Sequence, residues 1–475
     1  MKTTVGCWPI FTNIELLWKN KKNQPKIQTW FSETIRMPRQ PFNISADENP
    51  GLPNVPERRH LPALPLTDDA VRIIAIETAI PASFAPHLMM LRIHTDAGLI
   101  GHGESFFCGQ AMSAMIHDFM ARRLLGADAL AIESQWRFLY ERLANIGARG
   151  TELRAISAID LALWDILGQV CKQPVYSLLG GPVRDRIPVY NSCGNPSYGI
   201  RSKPGERPGG TWPGMGSIGR PGPLSDSYNY FHHPVELAKE LIGLGYTGMK
   251  VWPLDFPALT HGPMHVSDAD LRQALRPLEQ IREAVGMDIE VMIDGHAHYH
   301  LPAALRIAEA LRPLRPLWLE DIVKMDNLDT LADFRRQSRM PISASEMLLS
   351  AADYAQVFEK RAADYIMIDP TWVGGISPTI RIAHMAGAYN LPVSMHDATG
   401  PLTLLAGLHV LAAAPNGFYQ ETMRAQIQGA YKDLIDLDVR IQDGCLPLPR
   451  GSGLGALINP DVFKPDAPGY RKSSI

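Results

Sequence analysis

Six acidic or histidine residues recur at nearly even intervals in the second half of the chain. Each ends a short apolar run, and the six are Asp294, Glu320, Glu346, Asp369, His396 and Glu421. The steps between them are 26, 26, 23, 27 and 25 residues. A strand, a helix and two connections need a step of this kind, so the pattern predicts a repeated strand–helix unit. Each predicted strand then ends in a side chain that can do chemistry.

The first three of these residues are candidate metal ligands. Asp294, Glu320 and Glu346 would converge at one mouth of a parallel barrel, where three carboxylates repel one another unless a cation neutralises them. Hard oxygen ligands select Mg2+, with Mn2+ as the alternative. One acidic residue in such a position is equally typical of a helix N-terminus. Three at regular steps favour the metal site.

The next strand ends suggest acid–base chemistry. Asp369 and His396 end neighbouring strands, so the carboxylate can orient the imidazole and raise its basicity, which makes His396 a candidate general base. His296 follows Asp294 by two residues and would reach the same pocket if the chain is extended there. We expect the nearby His298 and His300 to lie in a loop or at a helix start.

Two more candidates come from the second and the last strands. Lys250 lies near a strand end, with Trp252 on the same face, and is expected either to hold a substrate carboxylate or to be solvated. Glu421 could donate a hydrogen bond to an enolate oxygen if it is protonated.

The elements that would position these residues are typical of a (β/α)8 barrel. The runs IPVYNSC and GMKVW complete eight strands between about residues 187 and 421, close to the ~250 residues of such a barrel. Ahead of them, two strands joined at Asp96-Ala97-Gly98 and an amphipathic stretch, RAISAIDLALWDILGQV, predict an α+β unit with strands first and helices after.

We therefore expect four parts. They are an N-terminal extension at 1–70, an α+β domain at 71–185, the barrel at 186–425, and a segment at 426–475 that returns to the first domain. The extension is basic and rich in Pro and Asn, which favours a poorly ordered arm over a docking element. The Gly-, Pro- and Ser-rich stretch 194–227 is expected to form an active-site loop or a disordered flap. Pro277 should start or kink its helix.

Composition narrows the class of protein. The 475 residues carry 46 Lys plus Arg against 49 Asp plus Glu, a formal net charge of −3, which argues against a nucleic-acid or anionic-membrane partner. No apolar run reaches the ~18–20 residues of a membrane span. The five cysteines are scattered, without the paired spacing of a disulfide framework, so we expect a cytoplasmic protein.

Taken together, these motifs resemble the mandelate racemase branch of the enolase superfamily over about residues 70–460. The resemblance rests on SAIDLALWDILGQVCKQPVYSLLGG, the Asp294/Glu320/Glu346 triplet, Asp369 with the glycines at 374–375, His396, Glu421 and DGCLPLPRGSGLG. It implies a (β/α)8 barrel under an N-terminal α+β capping domain, with substrate loops at about 81–87 and 104–109. It also implies Mg2+, a small-molecule carboxylate substrate that loses its α-proton to give an enediolate, and a homo-oligomer.

The resemblance also separates reactions within this branch. Racemases of the branch carry Lys-x-Lys on the second strand, whereas this chain has Lys250-Val251-Trp252 and lacks the second base. Asp294-Gly295-His296 is instead similar to the Asp-x-His of acid-sugar dehydratases such as galactonate and mannonate dehydratases. That similarity implies His396 as base, oriented by Asp369, and His296 as the acid that protonates the leaving 3-hydroxyl. One departure is Glu320-Asp321-Ile322, where the family has Glu-Glu-Pro.

The leading hypothesis is therefore a lyase that dehydrates a sugar acid to its 2-keto-3-deoxy product. A racemase, epimerase or cycloisomerase acting through the same intermediate remains an alternative. His296-Ala297-His298 imitates the His-x-His of binuclear hydrolases, but it follows the third strand rather than the first. A non-catalytic protein on this scaffold would be expected to have lost a metal or base residue, and only the second lysine of the second-strand Lys-x-Lys is missing.

Overall fold

The computed structural model describes residues 70–84, 87–147, 149–198, 219–398, 400–436 and 439–475. The predicted N-terminal extension, up to residue 69, and residues 199–218 of the predicted insertion lie outside the described residues. Within the described ranges, no helix has both the length and the apolar character needed to cross a bilayer.

A four-stranded antiparallel sheet with helices on it forms the N-terminal part, which we call the cap. Three of its strands are β1 (Ile73–Ala79), β2 (Met89–Thr95) and β3 (Ile100–Ser105), and the fourth comes from the C-terminal tail. Its helices are α1 (Gly109–Met115), α2 (Ala121–Leu124), α3 (Ile132–Leu143), α4 (Thr151–Cys171) and α5 (Val175–Leu178), with a π-helical turn at Ile116–Met120. The predicted hairpin is confirmed, since β2 and β3 pair on either side of Gly98.

Two glycines let α4 lie directly on β3. A Cβ at Gly101 would come 2.1 Å from the carbonyl oxygen of Ala162, and one at Gly103 would come 1.9 Å from that of Ala158. Any larger residue would therefore push the helix off the sheet. On its other faces α4 buries the predicted apolar stripe, including Ile159.

Eight parallel strands close into a barrel. They are β4 (Arg186–Ser192), β5 (Gly248–Val251), β6 (Glu290–Asp294), β7 (Trp318–Glu320), β8 (Ile342–Ala344), β9 (Tyr365–Ile368), β10 (Val393–Met395) and β11 (Gly417–Thr422). Each strand pairs with the next along the chain, and β11 pairs with β4 to close the ring. The predicted fold class, a (β/α)8 barrel with an N-terminal α+β cap, is confirmed.

Helices connect successive barrel strands on the outside. They are α6 (Asp226–His232), α7 (Pro234–Gly243), α8 (Asp255–His261), α9 (Asp268–Val285), α10 (Leu301–Leu311), α11 (Leu328–Ser338), α12 (Ala351–Lys360), α13 (Ile376–Ala388) and α14 (Pro401–Ala413). Two short helices, α15 (Arg424–Gln428) and α16 (Tyr431–Leu434), follow the last barrel strand. Their apolar faces and the strands share one large core.

Pro277 does not start its helix. Instead α9 begins at Asp268, where the Ser267 hydroxyl accepts from the Asp270 amide and the Asp270 carboxylate accepts from the Ser267 amide. This capping box fixes the first turn, and the helix continues through Pro277 to Val285. The expectation of a helix start at Pro277 is wrong because the cap lies ten residues earlier in the chain.

The C-terminal tail contacts both parts of the molecule. Strand β12 (Cys445–Pro447) runs antiparallel beside β4, and β13 (Arg471–Ser474) pairs with β1 in the sheet of the cap. The positions of the domain boundaries stay predictions.

The motif in α4 connects the cap to the barrel. The Asp160 carboxylate accepts from both the amide and the hydroxyl of Ser377 on α13. One turn later, Asp165 accepts from the amides of His102 and Leu454. A Cβ at Gly375 would lie 2.2 Å from Asp160, so glycine is required for this approach. These contacts hold the cap on the barrel.

Candidate active site

The structure brings the six strand-end residues together at one mouth of the barrel. Asp294 and Glu320 are the last residues of β6 and β7, and Glu346 lies two residues beyond β8. Asp369 and His396 each follow their strand by one residue, while Glu421 lies within β11. All six side chains are buried. The regular step along the sequence therefore corresponds to one ring of side chains.

Lys250 lies among the carboxylates of this ring. Its ammonium nitrogen is 2.5 Å from Glu320 Oε1, 3.0 Å from Glu421 Oε1 and 3.2 Å from Asp294 Oδ2. The residue is only 1% exposed, so the expectation that it might be solvated is wrong. Burial opposes the charge, but the surrounding carboxylates raise the pKa of Lys250 well above its usual range.

The acidic cluster carries more negative charge than Lys250 can balance. Burial and the charges of Asp294 and Glu346 raise the pKa of Glu320 well above its usual range, although Lys250 opposes this. The adjacent Asp321 has a buried Oδ2 with no hydrogen-bond partner. Such a surplus of buried, hard oxygen donors fits a divalent cation such as Mg2+. With the ammonium between them, however, no three His, Cys, Asp or Glu side chains of the described residues are arranged to hold a metal ion.

His396 and Asp369 form the predicted pair. His396 Nδ1 lies 2.7 Å from Asp369 Oδ2, and the other oxygen of that carboxylate accepts from the amide and hydroxyl of Thr371 at 2.7 Å each. His396 Nε2 faces Glu346 and Glu421 at 3.7 and 3.8 Å. Burial lowers the pKa of His396, but these carboxylates outweigh it and raise the pKa to about 10.

The pairing of Glu421 bears on its predicted role. Burial would raise its pKa, but Lys250 and His396 hold the pKa of Glu421 below its usual range. In this arrangement Glu421 is therefore ionised, and the expected role as a hydrogen-bond donor requires a changed environment.

His296 reaches the mouth by a turn and not along an extended strand. Its φ of 43° lies in the left-handed region, and its amide donates to Asp294 Oδ1 at 2.9 Å. Gly295 makes this possible, because a Cβ there would lie 2.9 Å from the Ile322 side chain. Of the other two histidines, His298 lies in the following loop and His300 is the N-cap of α10, as expected.

Asp255 is a site residue that the sequence analysis missed. It opens α8, just beyond β5, and its Oδ1 lies 2.9 Å from His296 Nδ1. His296 Nε2 faces Asp294 Oδ2 at 3.5 Å. Burial lowers the pKa of His296, but Asp255 and Asp294 outweigh it and raise the pKa to about 10. No spacing signal marks Asp255, because it follows an irregular turn after Lys250-Val251-Trp252.

Aromatic side chains flank both histidines. The Trp252 ring lies 5.3 Å from His296 and 5.5 Å from Tyr198, and the Trp372 ring lies 5.4 Å from His396 and 5.5 Å from Phe107. Trp372 was not singled out from the sequence. By contrast, Phe84 and Phe106 are buried in the hydrophobic core.

Comparison with protein families agrees with the fold and this site. Residues 64–180 match the mandelate racemase / muconate lactonizing enzyme N-terminal domain, and residues 234–462 match the enolase C-terminal domain-like family. The chain therefore belongs to the mandelate racemase / muconate lactonizing enzyme family of the enolase superfamily, as its motifs predicted.

Particular relatives narrow the comparison. The chain is 30% identical over 381 residues to D-galactonate dehydratase of Ralstonia pickettii, covering 79% of this chain and 89% of the relative. It is 28% identical over 381 residues to arabinonate dehydratase of Saccharolobus solfataricus, covering 79% and 90%. A crystal structure of an enolase protein from Sargasso Sea environmental sequence superposes with a TM-score of 0.74 at 35% identity, covering 85% of this chain and 99% of that one.

Proposed function

We propose that the protein is a Mg2+-dependent acid-sugar dehydratase, a hydro-lyase that converts a sugar acid to its 2-keto-3-deoxy product. The observation that carries the proposal is a pair of histidines, each bonded to its own carboxylate, just beyond the ends of strands β6 and β10. These are the third and seventh of eight barrel strands, so the two rings face each other across the mouth. The names of the relatives support the same reaction class.

Asp294, Glu320 and Glu346 would hold the Mg2+ once the Lys250 ammonium, which now contacts Asp294 and Glu320, has moved aside. When bound, the ion would offset the negative charge that develops on the substrate carboxylate. Lys250, already the cation nearest these carboxylates, would donate to a substrate carboxylate oxygen and so orient the α-carbon between the histidines.

His396 would act as the base. Its Nε2 takes the proton from C2 while its Nδ1–H donates to Asp369, which keeps the ring in the required tautomer. The base must start neutral, whereas the carboxylates around it favour the imidazolium. Positive charge bound at Glu346 would weaken that effect, because Glu346 is the largest of the charges that raise the pKa.

His296 would act as the acid. Asp255 on Nδ1 favours the imidazolium, which leaves Nε2–H available to protonate the leaving 3-hydroxyl. The C2–H and C3–O bonds break, water leaves, and the resulting enol becomes the 2-keto-3-deoxy acid by moving one proton to C3.

An epimerase acting through the same intermediate is the second candidate. The observation in its favour is the same opposed pair, since a proton delivered by His296 to C2 would arrive on the face opposite His396. The two reactions differ in whether the product keeps all its oxygens.

The proposal is tested by incubating the purified protein with Mg2+ and a panel of aldonic and aldaric acids. Semicarbazide detects a 2-keto-3-deoxy product, and D294N provides the background rate. A semicarbazide-positive product with at least one acid is expected. Isomerised acid with no loss of water would favour the epimerase, and neither product with any acid would contradict the proposal.

A further inference from the structure

An arginine of the cap lies over Trp372 and Phe107, the pair of rings beside His396 that we call the aromatic wall. Arg154 is in the first turn of α4, and its Nη1 donates to the carbonyl oxygen of Phe106 at 3.0 Å. Its guanidinium carbon lies 3.7 Å from the centroid of the Trp372 ring and 5.3 Å from that of Phe107. Stacking on two rings and one hydrogen bond give the guanidinium a fixed position.

The charge of Arg154 has no counterpart within the described part of the chain. No carboxylate there lies within ion-pair distance of it, and the Phe106 carbonyl is the one acceptor it reaches. A guanidinium carries five N–H donors in a planar fork. Burial lowers the pKa of Arg154 to about 10, which still leaves it charged at neutral pH. A partly buried cation with unused donors is costly unless an anion completes it.

This cation lies close to the proposed reaction centre. Trp372, on which Arg154 stacks, lies 5.4 Å from the His396 ring, so the guanidinium is no further from that ring than the two contacts together. Asp369 and Glu346 are close enough to oppose the lowering of its pKa. From C2 to C6, an extended six-carbon chain has four bonds of about 1.5 Å and spans roughly 5 Å. A sugar acid with C2 at His396 could therefore bring its far end to Arg154.

We propose that Arg154 binds a second anionic group at the far end of the substrate, so that the preferred substrate is a sugar diacid or a phosphorylated sugar acid. This inference rests on the proposed function and narrows its substrate class. A carboxylate or phosphate presents two oxygens to the fork of the guanidinium, an arrangement that a terminal hydroxyl cannot match. The relatives named above act, by their names, on galactonate and arabinonate, which carry no second acid group.

A purely structural role for Arg154 predicts a different effect of its loss on turnover. If Arg154 only joins Phe106 to Trp372, its loss would lower turnover of every substrate by the same factor. If it binds the substrate, its loss would affect doubly charged acids alone. The ratio of kcat/KM between matched acids separates these two roles, because loosened packing does not change a ratio between substrates.

The experiment measures kcat/KM of the Mg2+-loaded wild type and of R154Q on matched pairs. The pairs are glucarate with gluconate and galactarate with galactonate, and 6-phosphogluconate is the phosphorylated arm. Wild type is expected to prefer a doubly charged acid, and the ratio of kcat/KM between the doubly charged acid and its matched monoacid is expected to fall roughly 10- to 100-fold in R154Q. R154K keeps the charge but not the fork and should fall between. The matched control is R149Q, because Arg149 precedes the same helix and pairs with Asp353 outside this wall.

Calorimetric titration of the same acids in Mg2+ reads binding whether or not water is lost. A preference for diacid identifies a carboxylate as the partner, and a preference for 6-phosphogluconate alone identifies a phosphate. Equal affinity for both classes in wild type, or an equal loss for both in R154Q, overturns the role of Arg154. Charge-selective binding that depends on Arg154, without dehydration of any acid, would support this role and contradict the proposed function.

Discussion

The two histidine–carboxylate pairs at the barrel mouth are built differently. On the β9–β10 side, Asp369 and His396 each follow their strand by one residue, and neither has a positive φ. On the β5–β6 side, Asp255 comes from a helix beyond its strand and His296 from a left-handed turn. The first pair follows from the barrel repeat alone. The second depends on local irregularities, which are typical of sites that evolution has adapted to one reaction.

Two buried clusters that hold helices around the barrel also differ in their chemistry. Near β4, the buried Arg424 binds Asp226 at 2.6 and 2.8 Å and Glu240 at 2.7 Å, which attaches α6 and α7 to the end of β11. Near β10, the buried His409 of α14 accepts from the Tyr176 amide and donates to the Leu454 carbonyl. The Arg424 cluster is ionic, whereas His409 is a neutral imidazole, so the two should respond differently to mutation and pH.

Removing the proposed Mg2+ should affect both sides equally, and it is the largest effect expected. Both pairs adjoin the Asp294/Glu320/Glu346 cluster, so EDTA is expected to lower both α-proton exchange in D2O and dehydration by at least roughly 1,000-fold. Added Mg2+ should restore both. Exchange that persists in EDTA would show that the His396 side works without the cation.

Breaking the ionic Arg424 cluster should lower the free energy of unfolding more than any surface substitution does. Arg424→Met leaves the buried Asp226 without its partner, and the free energy of unfolding is expected to fall by about 3–5 kcal/mol. Urea titration measures it. Arg276→Met removes an exposed arginine that pairs with Glu279 and should change stability by less than about 0.5 kcal/mol. Equal effects of the two changes would refute a special role for the Arg424 cluster.

Replacing the two carboxylate partners should separate the two sides. Asp369→Asn is expected to lower both exchange and dehydration roughly 100-fold, since it leaves the base in the wrong tautomer. Asp255→Asn should lower dehydration by a similar factor and leave exchange nearly unchanged. Parallel losses in exchange after both substitutions would mean that the pairs do not have separate roles.

The buried, neutral His409 should make the free energy of unfolding depend on pH. Burial lowers the pKa of His409 to about 4 from an unfolded value near 6.5, so the unfolded chain binds the extra proton between these pH values. Stability from this group is complete above about pH 6.5 and is lost as the pH falls, at up to about 1.4 kcal/mol per pH unit. His409→Gln should flatten that part of the curve. An unchanged slope would assign the effect to other groups.

The sequence predicted the site residues that occur at the regular strand–helix step. Asp294, Glu320, Glu346, Asp369 and His396 were found because each ends a strand, and the pairing of β11 with β4 followed from counting eight such strands. Asp255 and Trp372 were missed because they lie beyond strand ends, where the barrel periodicity places no constraint.

The environment of Lys250 shows a second limit of sequence reasoning. Its type and approximate position were predicted, but its three carboxylate partners come from β6, β7 and β11 and become neighbours only when the barrel closes. Pro277 shows the opposite case, where a strong local signal was overridden by a capping box earlier in the helix.

In the proposed reaction His396 and His296 have separate tasks, which exchange and dehydration report independently. For any acid that wild type dehydrates, α-proton exchange in D2O and loss of water are followed together by NMR in His296→Asn, His396→Asn and the control His300→Asn. We expect exchange without dehydration in His296→Asn, neither reaction in His396→Asn, and both reactions in His300→Asn. Loss of exchange in His296→Asn, or its survival in His396→Asn, would contradict the separate tasks of the two histidines.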